Sequence, residues 1–119
     1  MRYFIVVVSS ILLMACAATP GPESSSAQAW KDFGQQQALK GSILQSENRL
    51  MKSDTKGELN NELYKAYQEG YRVGKEEYCN QNAYKMGVMG EPYLGICYDI
   101  KPFFQQDYDN GRNSGTGRL

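Results

Sequence analysis

The chain has 119 residues, thirteen basic and thirteen acidic side chains, and no histidine. Such a balance gives no electrostatic footprint for nucleic acid, and no basic cluster marks a site for anionic lipid headgroups. Without imidazole the sequence lacks the commonest metal ligand and the usual base that activates a nucleophile, so no cofactor, metal or catalytic residue is expected.

The first fifteen residues read as a lipoprotein signal peptide. Met1 and Arg2 supply the leading positive charge, and Tyr3 to Ala15 form a run of 13 residues. A membrane-spanning helix needs about 20 mostly apolar residues, so this run is too short to be a permanent anchor. The competing reading is an ordinary core strand rich in Val and Ile. Leu13-Met14-Ala15-Cys16 matches a lipobox, in which a bacterial signal peptidase cuts ahead of a lipid-modified cysteine. Bacterial lipoproteins carry three acyl chains there, palmitate among them, and each buried CH₂ contributes about 0.8 kcal/mol. Cys16 is therefore expected to hold the protein at a membrane. Residue 17 is Ala rather than the Asp that retains many lipoproteins in the inner membrane, which by resemblance favours the outer membrane, facing the periplasm. Residues 16–26 combine the lipidated cysteine with a Pro-, Gly- and Ser-rich tether.

Removing fifteen residues from 119 leaves 104, enough for one small domain, and losing Arg2 leaves twelve basic against thirteen acidic groups. Nine tyrosines and few aliphatic residues beyond the signal imply a small aromatic core with hydroxyls that need partners. Domains of this size with thin cores usually need a staple. Cys79 and Cys97 make an even count in an oxidising compartment. A disulfide between them would close a loop of roughly 20 residues and contribute about 3 kcal/mol in the chain-entropy model. Free thiols and metal ligation are the alternatives, although two cysteines without histidine make a poor zinc site.

The expected fold is a mainly α, small helical domain over residues 27–112: two longer helices, a Gly-rich segment bracketed by the cysteines, and one short C-terminal helix. Ser25-Ser26-Ala27-Gln28 offers a helix start, with Gln28 three positions after a possible Ser cap, and Trp30, Phe33, Gly34, Ala38, Gly41 and Leu44 recur at helical spacing, predicting a helix over 27–52. Thr55-Lys56-Gly57-Glu58 forms a capping-box pattern ahead of a second helix over 57–79. Its apolar stripe holds Leu59, Leu63, Ala66, Tyr67, Gly70, Tyr71, Gly74 and Tyr78. Gly87, Gly90, Pro92 and Gly95 predict turns or short helical pieces over 80–99. The last helix is expected over 101–110, ending at Gly111, with residues 113–119 a flexible tail.

An aromatic residue followed by glycine three or four places on recurs at Trp30/Gly34, Tyr67/Gly70, Tyr71/Gly74, Tyr84/Gly87 and Tyr108/Gly111. Glycine within a helix costs about 1 kcal/mol relative to Ala, so a gain must offset it. One reading is helix packing by Trp30, Gly34, Tyr67, Gly70, Gly74 and Tyr78. The other is that the Gly70-x-x-x-Gly74 groove faces a ligand or a partner chain. Interleaved charges speak against a membrane-helix interface.

The same residues carry a family resemblance. Tyr67-x-x-Gly70-x-x-x-Gly74, Tyr78-Cys79, Ala83, Gly87-x-x-Gly90-x-x-Tyr93-x-Gly95-x-Cys97, Phe104 and Tyr108-x-x-Gly111 resemble the domain-of-unknown-function family 2799 of bacterial envelope lipoproteins. Trp30, Gly34 and Gly41 resemble its opening block, with Ala38 where the family usually has glycine. Residues 46–60 lack a further cysteine found in many of its members. The resemblance implies the envelope location and the disulfide, and brings no activity or substrate.

The remaining candidates for chemistry are weak. Glu58/Glu62 and Glu76/Glu77 are carboxylate pairs on polar helix faces. Asp107-x-Asp109-Asn110-Gly111 has its glycine one place early for a calcium loop, and Arg118 stands where the loop's closing Glu is needed. Gly87-x-x-Gly90 lacks the Lys-Ser/Thr of a phosphate loop. The expectation is a non-catalytic binding or scaffolding lipoprotein that touches the membrane through its lipid and another envelope protein or a glycan through exposed Tyr84, Tyr93 and Tyr98. The alternatives are an inhibitor or accessory subunit of another envelope protein, and a carboxylate-based hydrolase of envelope polymer.

Overall fold

The structure is a computed structural model, and it describes residues 21–22 and 24–116. The expected signal peptide, Cys16, most of the tether and the last three residues of the expected tail lie outside the described residues. Within them the chain forms five helices and no strand: α1 (Ala27–Leu39), α2 (Glu47–Ser53), α3 (Asn61–Tyr78), α4 (Ala83–Val88) and α5 (Phe104–Thr116). The architecture is mainly α, and a disulfide joins Cys79 to Cys97 with their Cα atoms 5.7 Å apart.

α1 begins where Ser26 accepts a hydrogen bond from the Ala29 N–H, satisfying a donor that the first turn leaves free. The helix expected over 27–52 is two helices. Gly41 lies just past the end of α1 at φ +75°, a left-handed conformation that L side chains disfavour, and the Tyr78 ring fills the space where its Cβ would project. Residues 42–46 then run back along α3 as an extended strap, and Ser46 caps α2. Three tyrosines of α3 hold that strap. The Gln45 N–H donates to Tyr67 Oη at 3.0 Å, Tyr64 Oη donates to the Gln45 carbonyl at 2.8 Å, and Tyr71 Oη donates to the Ser42 carbonyl at 2.7 Å. The hydroxyls of a tyrosine-rich core thus find main-chain partners that no helix supplies.

α3 starts at Asn61 rather than near 57. Its cap is Asn60, whose carboxamide oxygen accepts from Leu63 N–H. The expected capping box is instead a loop wrapped on one carboxylate: Asp54 accepts from the N–H groups of Lys56, Glu58 and Leu59. α5 starts at Phe104, later than expected, and continues through Gly111 to Thr116, into the stretch expected to be a tail.

Two helix pairs result, α1 with α3 and α4 with α5. Lys31 lies against Gly70, Gln35 against Gly74 and Gly41 against Tyr78, so α1 and α3 advance side by side in one direction. Their core gathers Trp30, Leu50, Leu59, Leu63 and Tyr67. A second core gathers Tyr78, Cys79, Ala83, Met86, Ile96, Cys97, Phe104 and Tyr108. α3 contributes to both, and the disulfide fixes its end to the segment that follows α4. Lys75 adds a surface tie, reaching the carboxylate oxygens of Asp99 at 2.7 and 2.9 Å.

Both pairs use one contact geometry. A Cβ at Gly34 would collide with the Tyr67 carbonyl, and one at Gly70 with the Lys31 carbonyl. A Cβ at Gly87 would collide with the Tyr108 carbonyl, and one at Gly111 with the Tyr84 carbonyl. In each case the glycine of one helix meets the carbonyl three residues before the glycine of the other. Such approach permits Cα–H···O contacts worth about 0.5–1 kcal/mol each. It also brings backbones closer than the 8–10 Å usual for helix pairs separated by side chains. The offset to the cost of helical glycine is therefore backbone contact, made twice.

Candidate functional site

One concave surface lies beside the disulfide, where α3 ends and α5 begins. Cys79 ends α3, and Asn80-Gln81-Asn82 turn the chain into α4, with the Asn82 carboxamide oxygen accepting from Lys85 N–H. Across from this turn, Lys101 N–H donates to the Cys97 carbonyl at 2.7 Å, and Pro102 leads into α5. Two aromatic residues follow with opposite fates. Phe104 is 4% exposed and packs on Tyr93 and Tyr78, whereas Phe103 is 69% exposed. Between the turn and Phe103 lies a cleft of about 380 Å³, floored by Cys79 and Phe104 and rimmed by Asn80, Gln81, Asn82, Lys101 and Asp107. Two more clefts adjoin the turn, one of about 360 Å³ toward Met86 and Met89, the other of about 410 Å³ toward Leu39 and Glu77. Gln81 lines all three.

The three tyrosines expected to form one binding surface differ in their surroundings. Tyr98 is 75% exposed on the loop after Cys97, and Tyr84 is exposed on α4 with its hydroxyl donating to Ser114 Oγ at 2.8 Å. Tyr93 is a correction: its ring packs against Phe104, Tyr108 and Tyr78, and its oxygen accepts from Cys97 N–H at 3.0 Å. A hydroxyl tied to the backbone beside the disulfide, and a partly buried ring packed against the second core, give Tyr93 a structural role. No ring pair links Tyr84 to Tyr98 among the described residues.

The expected packing residues sit at the helix contacts. Trp30, Gly34, Tyr67, Gly70 and Gly74 are buried between α1 and α3, and Tyr78 is buried where α3 enters the second core. Gly70-x-x-x-Gly74 faces α1 backbone, which occupies the groove that a ligand would need. A separate groove lies between Gln37, Ile43, Leu44, Arg49 and Leu94, where Ile43 and Leu94 are 61% and 60% exposed.

Glu58, Glu62, Glu76 and Glu77 are all exposed, and Glu76 accepts from Arg72. Arg72 also bonds Glu69, whose carboxyl it holds below the ordinary value. Lys75 does the same to Asp99. Asp107 and Asp109 lie on helix α5, not on a calcium-binding loop, and Gln105 donates to Asp109. Among the described residues no three His, Cys, Asp or Glu side chains cluster as metal ligands would, and no helix is long and apolar enough to cross a membrane. Burial raises the phenols of Tyr64, Tyr67, Tyr78 and Tyr93, and pushes Tyr71 up to about 12.

Sequence reasoning passed over Phe103 and the 80–82 turn. A signal was present: three consecutive carboxamides next to a bridged cysteine, and two adjacent aromatic residues of which one helix face can bury only one.

A family model described as a protein of unknown function (DUF2799) matches residues 29–113. No curated protein and no solved structure matches the chain significantly. The matched span runs from the start of α1 into α5 and so includes both glycine crossings, the disulfide and the cleft.

Proposed function

The chain belongs to the DUF2799 family, and from that premise we propose that it is a non-catalytic lipoprotein of the bacterial envelope, acting by binding or scaffolding. The observation that carries the reading is the division of its surface. Large apolar side chains stand exposed on loops and helix ends, Tyr98 at 75%, Phe103 at 69% and Leu94 at 60%, on a frame held rigid by glycine contacts and a disulfide. Exposed anchors on a preorganised frame lose little entropy when a partner covers them. Among the described residues the paired candidates Glu58, Glu62, Glu76 and Glu77 lie exposed to solvent, whereas acid–base work needs a paired, desolvated arrangement, and this favours binding over a hydrolase.

The lipobox ending at Cys16 supports an anchored location, with the membrane as the first partner. The outer membrane, facing the periplasm, follows from Ala17 in the same way. The groove between Leu44 and Leu94 favours a related role as accessory subunit or inhibitor of another envelope protein, since its exposed aliphatic rim with Arg49 suits a protein contact. The test has two arms. Mass spectrometry of the protein extracted from membranes should find an acylated Cys16 as the first residue. Crosslinking in intact cells should capture a reproducible envelope partner through positions such as Leu94. A chain that begins at Met1 and remains in the cytosol with reduced thiols would overturn the proposal.

A further inference from the structure

We infer that the cleft at Phe103 is a saccharide site, taking an N-acetylated sugar of a glycan strand that continues across the 80–82 turn. The inference rests on the binding-protein reading and names its ligand. Four observations carry it. The first is an uncovered ring: Phe103 leaves 69% of its surface to solvent beside the cleft, while its neighbour Phe104 is buried. An aromatic face carries partial negative charge and attracts the polarised C–H face of a pyranose, a stacking that leaves the sugar's hydroxyls free at its edge.

The second is the rim. Asn80, Gln81 and Asn82 offer planar carboxamides, which supply donors and acceptors together, as hydroxyl and acetamido groups require. Asn82 spends its oxygen on Lys85 N–H and Gln81 its Nε2 on the Tyr78 carbonyl. The Asn82 NH₂ and the Gln81 oxygen therefore remain for a ligand. Asp107 adds a strong acceptor, and Lys101 three donors.

The third is charge. The lining holds one ammonium, Lys101, and one carboxylate, Asp107, so the cleft has no net charge to select a phosphate or a polyanion, and a neutral ligand rich in hydroxyls fits it. The fourth is extent. The cleft's 380 Å³ lies in the range of about 300–1,000 Å³ usual for small-ligand sites. Gln81 also lines the two neighbouring clefts, which places further sugar-sized space beside the first, as a polymer's consecutive residues would need. The floor is rigid, because Cys79 is bonded to Cys97 and Phe104 is packed among Tyr78 and Tyr93.

The test is an NMR titration of the full ¹⁵N-labelled chain in detergent micelles with tri-N-acetylchitotriose, and in parallel with cellotriose, which lacks the acetamido groups. Chitotriose is expected to shift the side-chain amide signals of Asn80, Gln81 and Asn82 and the backbone signals of 103–107, saturably, with a midpoint near about 1 mM. Phe103→Ala should weaken binding at least about tenfold, and Asp107→Asn by a smaller factor. Met51→Ala, at an exposed position on α2, should bind as the parent does. Because Phe103 is exposed, its loss should leave the remaining spectrum unchanged, which the same spectra report. Absence of saturable shifts at the cleft, or equal binding by Phe103→Ala, would overturn the site. Equal binding of cellotriose would overturn the N-acetyl specificity. A flat titration with a captured envelope partner in cells removes the saccharide site and leaves the binding role. An unprocessed cytosolic chain removes that role whatever the titration shows.

Discussion

The α1/α3 pair and the α4/α5 pair share a crossing and differ in what secures it. In both, reciprocal glycines let each helix touch the carbonyl three residues before the other's glycine. The first pair is long, with 13 and 18 residues, and is secured by tyrosine hydroxyls that bind the strap at Ser42 and Gln45. The second contains a helix of only six residues and is secured covalently at Cys79–Cys97, with Tyr108 donating to the Glu91 carbonyl. A short helix cannot offer enough side-chain area to fix itself, so the cross-link supplies what length supplies elsewhere. The cleft at Phe103 lies on the covalently secured side, which is where a fixed geometry would serve a ligand.

Substituting the crossing glycines should break the comparison most severely. Gly70→Ala places a methyl group inside the Lys31 carbonyl, and two long helices must separate to admit it, so a loss of about 3 kcal/mol or more is expected in urea unfolding. Gly111→Ala meets the Tyr84 carbonyl on a helix of only six residues, so fewer contacts are lost when the pair parts, and it should cost about 1–2 kcal/mol. Equal losses would show that the securing devices do not matter.

Removing the cross-link should separate the two halves. Replacing Cys79 and Cys97 together by Ala should cost about 3 kcal/mol. Amide exchange should then accelerate across α4 and α5 while α1 and the first turns of α3 stay protected. Uniform acceleration would mean that the pairs are one cooperative unit.

The tyrosine stitches predict smaller changes. Tyr71→Phe leaves the Ser42 carbonyl without its donor and should cost about 1 kcal/mol, with the loosening confined to residues 42–46. The same phenols set an alkaline limit. Stability rises with pH where the unfolded chain binds more protons, and here the relation is reversed. The raised folded values, up to about 12 for Tyr71, mean that the native chain keeps protons which the unfolded chain loses near 10. The unfolding midpoint should therefore hold to about pH 9 and fall progressively from pH 10 to 12. The smallest effect belongs to Lys75→Met, which removes a partly exposed ion pair with Asp99 and should change stability by about 0.5 kcal/mol.

The helical class, the α3 stripe and the packing glycines were legible because spacing on one helix is a local property. What misled was glycine itself, which has two uses. By spacing Gly41 belongs to the α1 stripe, yet it ends the helix in a left-handed turn, and Gly111 has the place of a helix stop, yet it lies inside α5 against Tyr84. Which use applies depends on a second helix that the local sequence does not show. The Asp54 loop displaced a plausible cap for a similar reason, since one carboxylate collects N–H groups from residues up to five positions away. Tyr93 reads as a surface residue in the sequence because its partners, the Cys97 N–H and Phe104, lie four and eleven residues on in a segment without regular periodicity. The cleft was least legible, because its lining comes from two segments about twenty residues apart that meet only when the second core forms.

The shared crossing is tested most directly by nuclear Overhauser contacts between helices in the intact protein. Hα–HN contacts are expected from Gly34 to Tyr71, from Gly87 to Arg112 and from Gly111 to Val88, because each nitrogen lies 2.7–3.0 Å from where a Cβ would stand. All three should appear together. Their absence, with side chains filling the space between the helices, would contradict the account.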